Sequence, residues 1–125
     1  MMKRNILLMT ISTLCLLAGC HHPHKFTRMA EETNKNCPMR LNETVTLDST
    51  TYDEALNRVS YYYSVSGELD NPEYMLTNYT TFKQTLQEAI DNSIEMEGYR
   101  KANSSIRYVY FSASRQGEAL AEFLF

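Results

Sequence analysis

The 125-residue chain has little of what most recognisable chemistry needs. Its four glycines, Gly19, Gly67, Gly98 and Gly117, are scattered, so no glycine-rich loop can cradle a phosphate. Its three histidines, His21, His22 and His24, fall in one short stretch. A Ser-His-Asp or Cys-His arrangement would need His24 to fold back onto the rest of the chain, with Cys37 its nearest nucleophile in sequence. The longest apolar run, Ile6 to Leu17, is interrupted by Thr10, Ser12 and Thr13. It falls short of the roughly 20 residues a helix needs to cross the hydrocarbon layer. Basic residues are also in deficit, with 12 Lys and Arg against 15 Asp and Glu. That balance argues against a nucleic-acid partner, which requires a basic footprint.

What is present at the N-terminus is an address. Lys3 and Arg4 precede the short apolar run, and small residues close it. This is the pattern of an export signal. Leu17-Ala18-Gly19-Cys20 resembles the lipobox of bacterial lipoproteins. The resemblance implies a signal peptide over residues 1–19, cleavage before Cys20, and acylation of Cys20, with palmitate among the chains. Several acyl chains anchor far better than one, at ~0.8 kcal/mol per buried CH2. His21 and His22 follow Cys20 with no acidic residue. By analogy with lipoprotein sorting, the expected location is the outer membrane, facing the periplasm.

Removing residues 1–19 takes away Lys3 and Arg4 and no acid, leaving ten basic and fifteen acidic residues, a net charge of −5. Cys15 leaves with the signal and Cys20 is taken by lipid, so Cys37 is the one thiol left. No intramolecular disulfide can form, and the apolar core alone must hold the fold. A lone thiol in an oxidising compartment can pair with another chain or react; burial as a small hydrophobe is its ordinary fate. Residues 20–40 are expected to comprise the lipidated cysteine, a tether and a short helix over Phe26 to Asn36. Pro38 ends that helix. The cluster His21-His22-Pro23-His24 offers three imidazoles and no nearby carboxylate, whereas a structural metal site uses about four oriented ligands. No metal or cofactor is expected.

Residues 41–125 read as one α+β domain. Val45 and Leu47 alternate with Thr44, Thr46 and Asp48, as in a half-buried strand. Asp53 to Asn57 is a turn, and Arg58 to Val65 a second strand, antiparallel to the first. After a loop at Ser66 to Pro72, Asn71 caps a helix with Pro72 in its first turn. Met75, Tyr79, Phe82, Leu86, Ala89, Ile90 and Ser93 form one stripe and carry this single helix to about Met96. Gly98 breaks it, and Tyr99 to Asn103 adds a turn. Ser105 to Ser112 and Glu118 to Phe125 are two further strands. The expected architecture is a two-layer sandwich: an antiparallel sheet, β-β-α-β-β along the chain, covered on one face by one long helix. A chain ending in a hydrophobic strand is expected either of a truncated chain or of a strand lying under the N-terminal segment.

Asn34-Lys35-Asn36-Cys37-Pro38-Met39, the strand Thr44-Val45-Thr46-Leu47-Asp48-Ser49, Tyr61-Tyr62-Tyr63 and Tyr108-Val109-Tyr110 together resemble a group of small exported bacterial proteins of uncharacterised function. The resemblance covers most of residues 34–125 and implies one domain with this strand order. It assigns no functional residue.

Tyrosine is the notable excess, at nine residues. Tyr62, with Tyr108 and Tyr110 if they share its face, would form an outward aromatic platform suited to a glycan or an envelope protein. Glu95 with Glu97, and Asp48 with Asp53, are the nearest approach to paired carboxylates; both read as solvated charge. The expected function is a membrane-anchored, non-enzymatic binding or protein-interaction module of the envelope. A second reading is an inhibitor or immunity-type protein that blocks a secreted enzyme through the Ser66–Asn71 loop or a sheet edge. A third is a small enzyme built on Cys37.

Overall fold

The computed structural model describes residues 24–125. The signal peptide, Cys20, His21 and His22 lie outside them. None of the described helices is long and apolar enough to cross a membrane.

Helix α1 spans Lys25–Asn34. His24 begins it, its Nδ1 accepting the Phe26 N–H at 3.1 Å, which satisfies one of the donors a helix start leaves free. Phe26 and Ala30, one turn apart, are the residues α1 buries. At its far end the Asn34 carboxamide grips the backbone of Thr50, donating to its carbonyl at 2.8 Å and accepting its N–H at 2.7 Å.

Strands β1 (Met39–Arg40), β2 (Val45–Asp53) and β3 (Arg58–Val65) are successive antiparallel neighbours. Because β1 is two residues long, it pairs only with Thr46 and Leu47. Thr50 thus has no strand partner on that side, and Asn34 supplies one. The β2–β3 turn closes on Asn57, which has a positive φ of 48°. Asn and Gly tolerate this left-handed conformation best.

The chain then crosses over through a 3-10 turn at Gly67–Leu69 and three helices: α2 (Pro72–Thr77), α3 (Tyr79–Asn92) and α4 (Glu97–Lys101). Strand β4 (Ser105–Ser112) returns beside β3, and β5 (Ala119–Leu124) closes the sheet. The sheet order is β1-β2-β3-β4-β5.

Two expectations need correction. The sheet is mixed: β3 and β4 run parallel, from Arg58 opposite Ser105 to Val65 opposite Ser112. A crossover of some forty residues carries the chain back along the sheet before β4 begins. Parallel pairing needs such a connection, whereas a tight turn would have reversed the strand. The β2–β3 and β4–β5 pairs are antiparallel, as expected; the two-residue β1, antiparallel to β2, is a fifth strand beyond the four expected.

The single long helix is also not what forms. Asn78 interrupts it, donating its side-chain N–H to the Tyr74 carbonyl at 2.9 Å, a local bond that competes with the helical ladder. Helix α3 stops at Asn92, where Arg100 of α4 reaches the carbonyls of Ile90 and Ser93. A cation there both satisfies free acceptors and suits the negative end of the helix.

Helices α1, α3 and α4 share one core with the sheet. Phe26, Ile90 and Tyr99 come from the helices, and Val59, Ile106, Tyr108 and Phe123 from the strands. The described part of the N-terminal segment, α1, lies over β2, with β3 and β4 between it and β5. Phe123 of β5 is nevertheless fully buried, beneath Tyr79, whose ring stacks on it at 4.6 Å.

Candidate functional site

The tyrosines segregate by strand register. In the parallel pair Tyr61 lies beside Tyr108, and Tyr63 beside Tyr110. These four therefore share the helix-covered face. Tyr62 points the other way. Its neighbours are Phe111, with ring centroids 6.4 Å apart, and Arg107, whose guanidinium lies 5.9 Å from the Tyr62 ring. Arg107 is held there by Glu122 at 2.7 Å. The platform expected from Tyr62, Tyr108 and Tyr110 together does not form: Tyr62 sits on the open face, and Tyr108 and Tyr110 lie beneath the helices. Direct alternation on β3 and β4 orients each strand's residues, but only the pairing register decides which residues of two strands share a side.

Under the helices the packing is incomplete. A cavity of about 330 Å³ opens between α2, α3 and the sheet. Its floor is Val45, Tyr63, Tyr108, Tyr110 and Phe123. Its roof is Met75 of α2 with Phe82, Thr85 and Leu86 of α3. Leu41, Asn42 and Leu69 close it from the loops. The cause of the hollow is visible on α3. Only Ile90 is fully buried on that helix, so its first two turns roof the sheet without filling the space below. None of the lining residues is charged.

The phenols form a compact cluster. Tyr63 and Tyr110 stack at 4.8 Å, Tyr63 meets Tyr108 edge-on at 5.6 Å, and Tyr110 meets Phe123 at 5.8 Å. Burial pushes the Tyr108 hydroxyl up to about 12. Burial, reinforced by the neighbouring phenols, pushes Tyr63 and Tyr110 up as well. All three are neutral at physiological pH, with their O–H protons in place. Their hydroxyls make no hydrogen bond to another described residue. Pockets of this size and character, apolar with a few convergent polar groups, are where small molecules bind.

A family model described as "Domain of unknown function (DUF8479)" matches residues 22–121. The chain belongs to the DUF8479 family. No curated protein matches it. A crystal structure of a Pseudomonas aeruginosa protein assigned as secreted superposes with a TM-score of 0.68. The two are 16% identical over 78% of this chain and 82% of that one. The likeness is one of fold. It agrees with the resemblance to small exported proteins and adds no activity.

Elsewhere in this DUF8479 domain the groups of interest are dispersed. Cys37 is half-buried, with its thiol against the Thr33 carbonyl at 3.5 Å. Burial, then the charge of Asp48, raises its pKa, which keeps it a thiol and not the nucleophilic thiolate. His24 lies at the other end of α1, about 15 Å away by helix rise, and stacks on Tyr52 at 5.1 Å. Among the described residues no group of three or more His, Cys, Asp or Glu is placed to hold a metal ion. Glu97 pairs with Lys101 at 2.9 Å. Glu95 lines a second cleft of about 560 Å³ with Lys25, Arg28, Glu32, Tyr61 and Tyr99. Two cations and two carboxylates on one rim give that cleft no preference of sign. Asp48 accepts the Ser64 hydroxyl and Asp53 the Leu56 N–H, so neither faces the other as a catalytic pair.

The Ser66–Asn71 loop is not free to project. Gly67 turns it at φ +63°, Leu69 lines the cavity, and Asp70 is tied to the β4–β5 turn. Asp70 accepts the Ser112 hydroxyl at 2.5 Å, and the Ser114 hydroxyl and N–H at 2.6 and 3.1 Å. The loop is thereby part of the cavity wall. Residues such as Phe82 and Leu86 were legible as a core stripe. The hollow beneath them was not, because spacing reports direction and not how completely the space is filled.

Proposed function

We propose that this chain is a bacterial envelope lipoprotein, held by acyl groups on Cys20, whose domain is a non-enzymatic binding module with the cavity beneath α2 and α3 as its site. The cavity carries the reading: an uncharged, phenol-floored space of about 330 Å³ in a domain whose other polar groups are dispersed. The space opens to the surface beside Leu41, Asn42 and Thr85, which are exposed, so a small molecule can reach its apolar floor. The anchor is supported by Leu17-Ala18-Gly19-Cys20. The outer membrane, facing the periplasm, is supported by the absence of an acidic residue at His21 and His22.

Two measurements test this. Cys20→Ala should abolish labelling by radioactive palmitate and leave the leader uncleaved. Retention of label on the variant would end the lipoprotein reading. Leu86→Trp should fill the cavity from its roof. Wild-type protein purified gently from membranes should carry a small-molecule adduct in native mass spectrometry, and the tryptophan variant should lack it. An adduct unchanged by Leu86→Trp would place binding elsewhere.

A further inference from the structure

The polar groups around the cavity are all uncharged and lean towards donation, since a phenol oxygen is a weaker acceptor than its O–H is a donor. Asn42 spends its Oδ1 on the Thr44 N–H at 2.9 Å, the Thr44 hydroxyl at 3.1 Å and the Val45 N–H at 2.9 Å. That fixes the carboxamide and leaves its NH2 group unpaired among the described residues. Thr85 has its hydroxyl proton on the Thr81 carbonyl at 3.0 Å. Tyr63, Tyr108 and Tyr110 each bring an O–H with no described partner. The cavity therefore presents four uncommitted donors and no carboxylate. It also has no Lys, Arg or His to balance a negative charge. Donors set in an apolar cleft favour a ligand that accepts from them over one that cannot. Burial of an anion with no counter-charge is disfavoured.

We propose that the cavity takes a neutral, mostly apolar molecule bearing a hydrogen-bond acceptor, of the ketone, ester or quinone class. Its acceptor lies at the phenols of Tyr63 and Tyr110, and its hydrocarbon body lies against Met75, Phe82 and Leu86. The volume corresponds to about eleven waters at ~30 Å³ each, room for a molecule of roughly two fused rings. This class assignment rests on the cavity being the binding site, and its test separates the two.

The full chain carrying Cys20→Ala, which removes the acyl chains, is titrated with three fluorescent naphthalenes of similar size. One is a neutral ketone, 6-propionyl-2-(dimethylamino)naphthalene. One is a neutral amine without a carbonyl, N-phenyl-1-naphthylamine. One is an anion, 1-anilinonaphthalene-8-sulfonate. The ketone should bind about tenfold more tightly than the other two. Tyr63→Phe and Tyr110→Phe, each removing one oxygen, should each weaken the ketone about fivefold and leave the amine within about twofold. Leu86→Trp should abolish binding of both neutral probes. If the amine or the sulfonate binds as tightly as the ketone, or neither Tyr→Phe variant changes ketone affinity, the acceptor class is overturned while the cavity remains a binding site. If no probe binds, or Leu86→Trp leaves binding intact, the cavity itself is overturned as the site. Two independent Tyr→Phe variants keep the comparison valid should one fail to fold, which circular dichroism checks.

Discussion

Asp70 shows how one side chain can set the behaviour of a loop. Its side chain is only 7% exposed, and its carboxyl is held below the usual carboxylate range by the hydroxyls of Ser112 and Ser114, with the Ser114 N–H and Arg115 adding to them. A carboxyl lowered in the folded state stabilises fully above its unfolded value, near 3.9. The contribution is lost as pH falls through the lower folded value. The urea midpoint of the wild type should therefore drop as the pH falls below about 4. Asp70→Asn should lower the midpoint at neutral pH and flatten that acid drop. A variant with an unchanged acid slope would show that the Asp70 bonds carry no stability. The sequence marked Asp70 only as a turn residue. Its partners lie 42 and 44 positions away, and nothing in local pattern announces a bond across that distance.

Among the elements, α1 is held to the sheet by the buried Phe26, by the Thr50 hydroxyl donating to the Ala30 carbonyl at 3.1 Å, and by the Asn34 carboxamide. Asn34 bonds the Thr50 N–H, carbonyl and hydroxyl, and Thr50 is 2% exposed. Asn34→Ala leaves a buried backbone N–H and carbonyl unpaired and should cost about 2 kcal/mol. Lys35→Ala, its neighbour, removes only an exposed ion pair with Glu32 at 2.7 Å and should cost under about 0.5 kcal/mol. Urea unfolding of the two variants side by side checks the contrast; equal losses would refute it. Element spans were well marked in the sequence. Arg58–Val65 and Ser105–Ser112 form as strands over the residues that alternation picked out, and Asn71 and Pro72 start a helix as capping chemistry requires. The break at Asn78 was not marked, because a continuous apolar stripe runs through it and the interrupting bond is made by a side chain that solvent-exposed asparagines usually spend on water.

For the whole molecule, the distinction between legible and hidden follows the distance over which information must travel. Alternation and capping are local and were readable. Strand direction depends on where a forty-residue crossover delivers the chain, so the parallel β3–β4 pair escaped an antiparallel expectation. The cavity depends on a mismatch of volumes between two layers, so its floor tyrosines were noticed and their setting was not. The placement of Tyr62 apart from Tyr108 and Tyr110 has the same origin, in register and not in composition.

The two margins of the sheet share one further property. Phe125 and Ile106 exchange both of their backbone bonds, so by alternation the N–H and carbonyl of Glu122 face outward from β5. Tyr79 donates its phenol to that carbonyl at 2.7 Å. On the opposite margin Asn34 occupies the outward N–H and carbonyl of Thr50, beside a strand of two residues. Each rim thus has a side chain standing where another molecule's backbone would need to zip on. Open rims template runaway polymerisation between copies. These two side chains leave fewer open backbone groups on which a second copy could add a strand.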